Sequence, residues 1–258
     1  MIINPYRFSA AAGGITTPLH FWDLDDTGTG TGAGLDDQGN HTTDMTLQTN
    51  GAITTLTQAP DGGDCIFFNA NGEYLDTSSD IAWDSASDDM SCSCWFQSTA
   101  AATTFNSLVT WRGGAPFGWH LLAVNASPDY VTSTVWDDSA TSGGTASTKV
   151  TAEDTAETSS LSTWYHAVIT FESSTGTLKL YIDNVLIDSS VTATVDAFNP
   201  NAIPFAIGAL SSAKTNIAFQ HRGYVWSTGI WDTVLTTDEI SELYNGGSGG
   251  KYADYTWT

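Results

Sequence analysis

Basic residues are scarce in this sequence. Lys and Arg total 7 against 29 Asp and Glu in 258 residues, which gives a formal net charge of −22. A surface this acidic repels phosphate backbones and anionic lipid head groups, so we expect no direct nucleic-acid binding and no membrane adhesion. The charge is consistent with simple solubility, with a salty environment that screens self-repulsion, or with bound cations, and composition leaves these three open.

Cysteine is also rare, and the 3 present are too few for a disulfide framework. Cys92 and Cys94 lie two residues apart on a predicted strand, so their side chains share a face but are too far apart to bridge comfortably. We predict buried free thiols, with a disulfide between Cys65 and one of the others as the alternative. Synthesis in a reducing cytoplasm is the simplest account.

Long apolar runs are missing: none approaches the length that crosses a membrane, and the opening MIINPYRFSAAAGG lacks the pattern of an ordinary signal peptide. We interpret residues 1–17 as an extended arm ahead of a folded domain. A lone monomer would leave the apolar side chains of this arm exposed, so we expect them to contact another subunit. These side chains are Ile2, Ile3, Tyr6 and Phe8.

Short apolar runs separated by Gly, Ser, Thr, Asn and Asp clusters predict an all-β domain. Residues 164–169 alternate with the period of two that is typical of a half-buried strand. Asp183 and Asn184 separate two further runs and predict a tight hairpin turn, because both residue types tolerate positive φ. The Thr/Ser-rich stretch 137–162, with a predicted strand near Lys149, is interpreted as a long loop or edge hairpin within the same domain.

One short helix is predicted at residues 237–245. Thr236 and Glu239 have the spacing of a capping box, and Gly246 lies where a C-terminal cap is expected. One face of this helix is apolar and is formed by Ile240, Leu243 and Tyr244.

These segments, in this order, resemble the closing half of a laminin-G-like domain of the concanavalin A-like jelly-roll superfamily. The matching motifs are the strand beginning at Trp164 and residues 181–184, 223–231 and 235–245; residues 66–76 and 91–98 resemble the early strands of the family. Asn184 replaces the commoner Gly. The resemblance implies a sandwich of two antiparallel sheets with one C-terminal helix, formed by residues 18–246 and followed by a tail at 247–258.

Catalytic signatures are weak. The superfamily includes glycoside hydrolases that pair acidic residues on one strand as E-x-D-x-x-E. The nearest cluster here is Glu153, Asp154 and Glu157, whose spacing places the first two on opposite faces of a strand. No other nucleophile or metalloprotease motif is present, so we predict that the protein is not an enzyme. The five histidines are scattered, and His166, inside a strand, is predicted to be structural.

Calcium is a candidate ligand. The run that begins at Asp23 opens like an EF-hand loop, but Gly34 stands where the bidentate Glu belongs, so that interpretation fails. A laminin-G-type site, in which loop carboxylates and carbonyls share one ion, remains a hypothesis, with an ordinary Asx turn as the alternative. The candidate ligands are Asp23, Asp25, Asp36, Asp37 and Asn40.

A second candidate site is aromatic. The segment 111–120 gathers three large rings around a Gly/Pro turn, and sugar rings stack on such side chains when polar groups lie alongside. The candidate carbohydrate-binding residues are Trp111, Arg112, Phe117, Trp119 and His120. The alternative is that Trp111 and Trp119 end two strands and cover the core.

The opening MIINPYRF resembles the starts of many phage virion proteins, and laminin-G-like domains recur in capsid decoration and tail-fibre proteins. The resemblance implies a non-enzymatic structural component of a bacteriophage particle, a capsid decoration (cement) or tail-associated protein on the virion surface after synthesis in the host cytoplasm. Its partners would be other virion proteins (the major capsid or tail protein) or copies of itself, with weak binding of host glycans. The alternatives are a carbohydrate-binding or cell-surface adhesion module and, third, a glycoside hydrolase.

Overall fold

The protein folds as two antiparallel sheets, seen in a computed structural model that describes residues 14–28, 34–40, 47–77, 88–101, 105–111, 119–125, 130–136, 149–154, 160–191, 205–212 and 216–258. The strands are β1 (His20–Trp22), β2 (Leu47–Asn50), β3 (Thr54–Thr57), β4 (Asp64–Phe68), β5 (Tyr74–Thr77), β6 (Met90–Ser98), β7 (Phe105–Trp111), β8 (Trp119–Asn125), β9 (Tyr130–Trp136), β10 (Lys149–Glu153), β11 (Trp164–Glu172), β12 (Thr177–Ile182), β13 (Val185–Val191), β14 (Phe205–Ile207), β15 (Leu210–Ser212), β16 (Asn216–Ala218) and β17 (Gly223–Trp231). Helix α1 (Thr237–Tyr244) follows, with short 3-10 turns at Asn245–Gly247 and Tyr252–Asp254.

Among the described residues, the larger sheet has eight strands in the order β13-β12-β11-β6-β17-β4-β3, with β1 also paired to β17. The smaller sheet has seven, in the order β10-β9-β8-β7-β14-β5-β2, and β15 and β16 form a separate hairpin. The predicted all-β jelly-roll sandwich of two antiparallel sheets with a short C-terminal helix is confirmed. No helix in the described ranges is long and apolar enough to cross a membrane.

The main core lies between the sheets and contains both Cys92 and Cys94, while Cys65 belongs to a separate cluster with Trp95 and Trp226. All three cysteines are free and buried, which confirms the predicted thiols. Burial raises the pKa of Cys65 and Cys94 to about 12, so neither forms a thiolate near neutral pH.

Strand β11 is buried on both faces, so the predicted half-buried strand was wrong in this respect. Helix α1 and the C-terminal residues cover the outer face of the larger sheet: Val168 of β11 packs in one cluster with Trp231, Ile240 and Leu243. The period-two alternation along the strand could not show that the outer face is buried, because the side chains that cover it follow much later in the sequence.

The tail is part of the packed structure. Its aromatic side chains Tyr252, Tyr255 and Trp257 all contact the Phe21 ring, with centroid separations of 5.7, 6.3 and 5.6 Å. The backbone N–H of Ile15 donates to Thr256, and that of Thr258 donates to Ile15, so residues 14–17 join the tail. Residues 1–13, including the arm side chains Ile2, Ile3, Tyr6 and Phe8, lie outside the described residues.

The turn, helix cap and edge strand predicted from local sequence patterns are present in the structure. Asp183 and Asn184 have φ of 50° and 66°, as the tight hairpin turn requires. Thr236 and Glu239 form the predicted capping box, and Asn245, with φ 46°, takes the left-handed cap position one residue before Gly246. In the stretch 137–162, the predicted strand exists as β10, which pairs with β9 at the edge of the smaller sheet.

Candidate functional site

Several of the acidic residues predicted to bind calcium make hydrogen bonds within the protein. Asp37 contacts the His20 ring through Oδ2 at 2.5 Å and accepts from the backbone N–H of Phe21 and Gly39 through Oδ1. Asp23 accepts from the Tyr252 N–H at 2.6 Å and from the Gln38 amide at 2.8 Å. These carboxylates therefore anchor neighbouring segments.

Asp25 forms a 2.6 Å ion pair with Lys251, and the Asn40 N–H donates to the carbonyl of Pro18. Asp36 is buried. Burial raises the pKa of Asp23, against the hydrogen bonds from Tyr252 and Gln38. Across the described ranges no group of three His, Cys, Asp or Glu side chains is placed to hold a metal ion. A site that shares calcium between carboxylates and backbone carbonyls stays a prediction from the sequence.

Trp111, the first residue of the carbohydrate-binding segment predicted from the sequence, is buried. Trp111 has 0% exposure and lies in the main core, where no sugar can reach its ring, so its assignment to a binding surface was wrong. It ends β7 and closes the core, which is the alternative role. Arg112 and Phe117, and the side chains of Trp119 and His120, fall outside the described part of the chain.

Two residues of the acidic cluster, Glu153 and Asp154, lie in the described part of the chain. Glu153 ends β10, and its backbone N–H donates to the Asp188 carboxylate at 3.0 Å. Asp154 is fully buried rather than solvated. Glu157 lies outside the described residues.

His166 is structural, as predicted. Its Nε2 lies 2.8 Å from the Ser93 hydroxyl, and its ring stacks on Trp95 at 4.8 Å. Burial lowers the pKa of His166 to about 3, so the ring is neutral under ordinary conditions. This Ser–His pair is buried and covered by Tyr244, so no substrate reaches it.

A group of partly exposed aromatic side chains, absent from the sequence-based candidates, lies on the outer face of the larger sheet. Phe67 of β4 pairs with Tyr224 of β17, Tyr224 pairs with Gln97 of β6, and Gln97 pairs with Trp164 of β11. Because residues paired in register point to the same face, these four side chains form one row across four neighbouring strands. We call this row the aromatic ridge.

The rings of the ridge stand close together. The Phe67 and Tyr224 rings are stacked at 4.6 Å, and the Trp164 ring is tilted by 41° at 6.1 Å from Tyr224. Since Tyr224 covers one face of Phe67, the other face turns toward β3, where the register partner Thr54 is small and exposed. The ridge thus offers ring surface to solvent at its β3 end as well as at Trp164.

The ridge is held in place by contacts from distant parts of the sequence. The Trp164 indole N–H donates to the carbonyl of Gln58 at 2.8 Å, and Arg222 donates to the Asn69 carbonyl and, at 2.8 Å, to Asn71. A Cβ at Gly223 would lie 1.9 Å from the Gln97 carbonyl oxygen, so a glycine is needed for this close approach of β17 to β6. Sequence reasoning missed the ridge because only strand register brings its members together.

The fold is a lectin-like β-sandwich. The family model Laminin_G_3, described as the concanavalin A-like lectin/glucanases superfamily, matches residues 69–241. The chain belongs to this superfamily. Among curated proteins, none matches the chain.

Solved structures with the same fold are distant in sequence. The binding domain of botulinum neurotoxin serotype G is 15% identical with a TM-score of 0.62, over 88% of this chain and 50% of that one. The receptor binding domain of botulinum neurotoxin D is 14% identical with a TM-score of 0.65, over 90% and 53%. This chain therefore spans about half the length of those neurotoxin chains.

Domain 4 of AbnA, a GH43 extracellular arabinanase from Geobacillus stearothermophilus, was solved in complex with arabinotriose. It is 15% identical with a TM-score of 0.58, and the match covers 89% of this chain and 98% of that one. The similarity extends over nearly that entire domain and shows a shared fold.

Proposed function

We propose that this protein is a non-catalytic carbohydrate-binding module and that the aromatic ridge is its binding surface. The observation that carries the proposal is the row of partly exposed Phe67, Tyr224 and Trp164 side chains around the amide of Gln97. Aromatic rings that pack against sugar C–H groups, with a few polar groups alongside, are the usual means of carbohydrate recognition.

The indole of Trp164 is pre-organised for this role. Its hydrogen bond to Gln58 fixes the ring, so little side-chain entropy remains to be lost when a ligand packs on it. A shallow surface with few rings gives modest affinity, and we expect dissociation constants closer to millimolar than nanomolar.

The structural neighbours support this class of function without assigning it. Domain 4 of AbnA was solved with arabinotriose, and the binding domain of botulinum neurotoxin DC was solved in complex with SialylT. At 15% and 12% identity these proteins support the proposal through fold alone, so the ridge itself must be tested.

The ligand we propose is a neutral glycan. The formal net charge of −22 repels sulfated and sialylated chains, and the ridge row contains no charged side chain. Tight binding of an anionic glycan in the absence of calcium would contradict this electrostatic argument.

The test is a glycan array, with and without calcium, on the wild type and a Tyr224→Ala/Trp164→Ala double variant. We expect binding of neutral glycans that the double variant loses. Trp257→Ala, which removes a partly buried ring from the tail, is the matched control and should bind normally. Trp119→Ala tests the loop expected from the sequence, and loss of binding only in that variant would move the site there.

We also propose that the module does not hydrolyse its ligand. Glycoside hydrolysis needs two carboxyl groups on either side of the scissile bond, and the ridge row has none. Prolonged incubation with bound oligosaccharides should leave them intact. Hydrolysis abolished by Glu153→Gln or Glu157→Gln would show that the acidic cluster is catalytic after all.

The setting in which the module works remains a proposal from the sequence. We infer a place on a bacteriophage particle, as a capsid decoration or tail-associated protein that bridges neighbours, from the resemblance of residues 1–8 to virion proteins. In such a particle the arm would provide attachment, and the ridge, on the folded domain, would meet host glycans.

A further inference from the structure

We infer that Gln97 is the specificity-determining residue of the ridge and selects an uncharged sugar that presents two adjacent hydroxyl groups. This inference rests on the proposed function and concerns the same site. It follows from the position of Gln97 between two rings, from the hydrogen bonds already made around it, and from the charge of its surroundings.

Gln97 lies directly between the two rings that a sugar would contact. It is the register partner of Tyr224 on one side and of Trp164 on the other. The backbones of those two residues are separated by roughly twice the 4.8 Å spacing of neighbouring strands. Their ring centroids are 6.1 Å apart, so the two rings approach each other from the strands on either side of Gln97.

The hydrogen bonds around Gln97 leave its amide available. Trp164 uses its only side-chain donor on Gln58, and two donors of Arg222 are occupied by Asn69 and Asn71. Within the described part of the chain, neither the Gln97 carboxamide nor the Tyr224 hydroxyl makes a hydrogen bond. Both are partly buried, so a ligand that satisfies them recovers hydrogen bonds that water supplies poorly there.

The chemistry of a carboxamide identifies the ligand group. It presents one acceptor oxygen and an NH₂ donor side by side, and each hydroxyl of a vicinal pair can donate or accept. One amide can therefore bind both hydroxyls of the pair, while the sugar C–H face rests on Trp164. A sugar with one of the two hydroxyls inverted or substituted loses one of these bonds.

An uncharged ligand fits this position better than an anionic one or an acidic peptide. The amide carries no charge, the flanking register partners are aromatic, and the whole chain is strongly acidic. A short, unbranched oligosaccharide that runs across the strands along the ridge would contact the successive rings.

The experiment measures binding of four unbranched trisaccharides, arabinotriose and the glucose, galactose and mannose trimers, by calorimetry and ligand-observed NMR. Four proteins are compared: wild type, Gln97→Met, Tyr224→Phe and Tyr224→Ala. Gln97→Met keeps the length and packing of the side chain but removes its hydrogen bonds. Thermal unfolding confirms that each variant is folded.

We expect wild type to prefer one trisaccharide and Gln97→Met to bind it about tenfold more weakly, equivalent to about 1.4 kcal/mol, with the preference largely lost. Tyr224→Phe should weaken binding less, and Tyr224→Ala should weaken all four ligands. Unchanged preference in Gln97→Met, with binding lost in Tyr224→Ala, would overturn the role of Gln97 and leave the ridge intact. Full binding by Tyr224→Ala, or no binding by wild type, would overturn the proposed site as well.

Discussion

Glu239 ties the start of the described chain to helix α1. One carboxylate oxygen accepts from the backbone N–H and hydroxyl of Thr16, and the other accepts from the same two groups of Thr236. Burial alone would raise the pKa of Glu239, but these hydrogen bonds outweigh it and lower the pKa. A single side chain thus completes the predicted capping box and also fixes residue 16, and only the contact with residue 16 had no local sequence signal.

Replacing Glu239 by Ala should lower the free energy of unfolding by roughly 0.5–2 kcal/mol, because the donors of partly buried Thr16 and exposed Thr236 lose a charged acceptor and the helix loses its capping box. Since the folded pKa is lowered, this stabilisation is complete above the ordinary value of 4.5 and is lost as the pH falls through the folded value. Urea unfolding at neutral pH and below 4.5 measures both effects. Glu242→Ala on the same helix is the control, and an equal loss there would contradict a specific role for Glu239.

His166 and His221, both buried, set a second pH dependence. Burial lowers the pKa of His166 to about 3 and of His221 to about 4, while the unfolded chain titrates near 6.5. Below pH 6.5 the unfolded state therefore binds more protons than the folded state. The free energy of unfolding should decrease as the pH falls, by up to roughly 1.4 kcal/mol per pH unit for each histidine. His166→Gln should reduce that slope in urea unfolding, and an unchanged slope would show that His166 is not a neutral buried group.

At the scale of the elements, the turn between β12 and β13 contains a position where a substitution should increase the stability of the protein. Asn184 has φ of 66°. This backbone conformation is unfavourable for residues that have a side chain, whereas glycine adopts it freely. Asn184→Gly should raise the free energy of unfolding by up to about 1 kcal/mol, and Asn184→Val should lower it. Urea unfolding checks both, and a destabilising Asn184→Gly would mean that the Asn side chain has a role of its own.

The elements that the sequence predicted well are those with local causes. The Asp183-Asn184 turn and the Thr236–Glu239 capping box depend on residues a few positions apart, and both are present. Burial of β11 on both faces depends on Ile240 and Leu243, which follow far along the chain. Its outer face could not be assigned from the strand alone.

The candidate site was predicted less well for the same reason. Trp111 lies in a segment rich in rings, yet its position at the end of β7 places it in the core. The ridge contains Phe67, Trp164 and Tyr224 from three different strands. The Trp164 ring is held by a hydrogen bond to the carbonyl of a residue 106 positions away in the sequence. Register, rather than composition, decides which aromatic side chains meet solvent together.

At the scale of the whole molecule, the arm and the folded domain should be separable. Deleting residues 2–12 removes apolar side chains that the sequence assigns to subunit contact, each worth roughly 1.5–3 kcal/mol if buried. We expect the shortened chain to keep its thermal unfolding profile and to lose association with other particle proteins. Normal incorporation of the shortened chain into particles would refute the role of the arm.

We expect the three buried thiols to react slowly with thiol-reactive dyes in the native protein, because they are inaccessible and burial raises their pKa. A cysteine introduced at exposed Thr54, the register partner of Phe67, would then be the one site that couples while the protein stays folded. An environment-sensitive fluorophore attached there would lie beside the free face of the Phe67 ring. The molecule could thus be converted into its own optical sensor, in which a change of emission reports occupancy of the ridge.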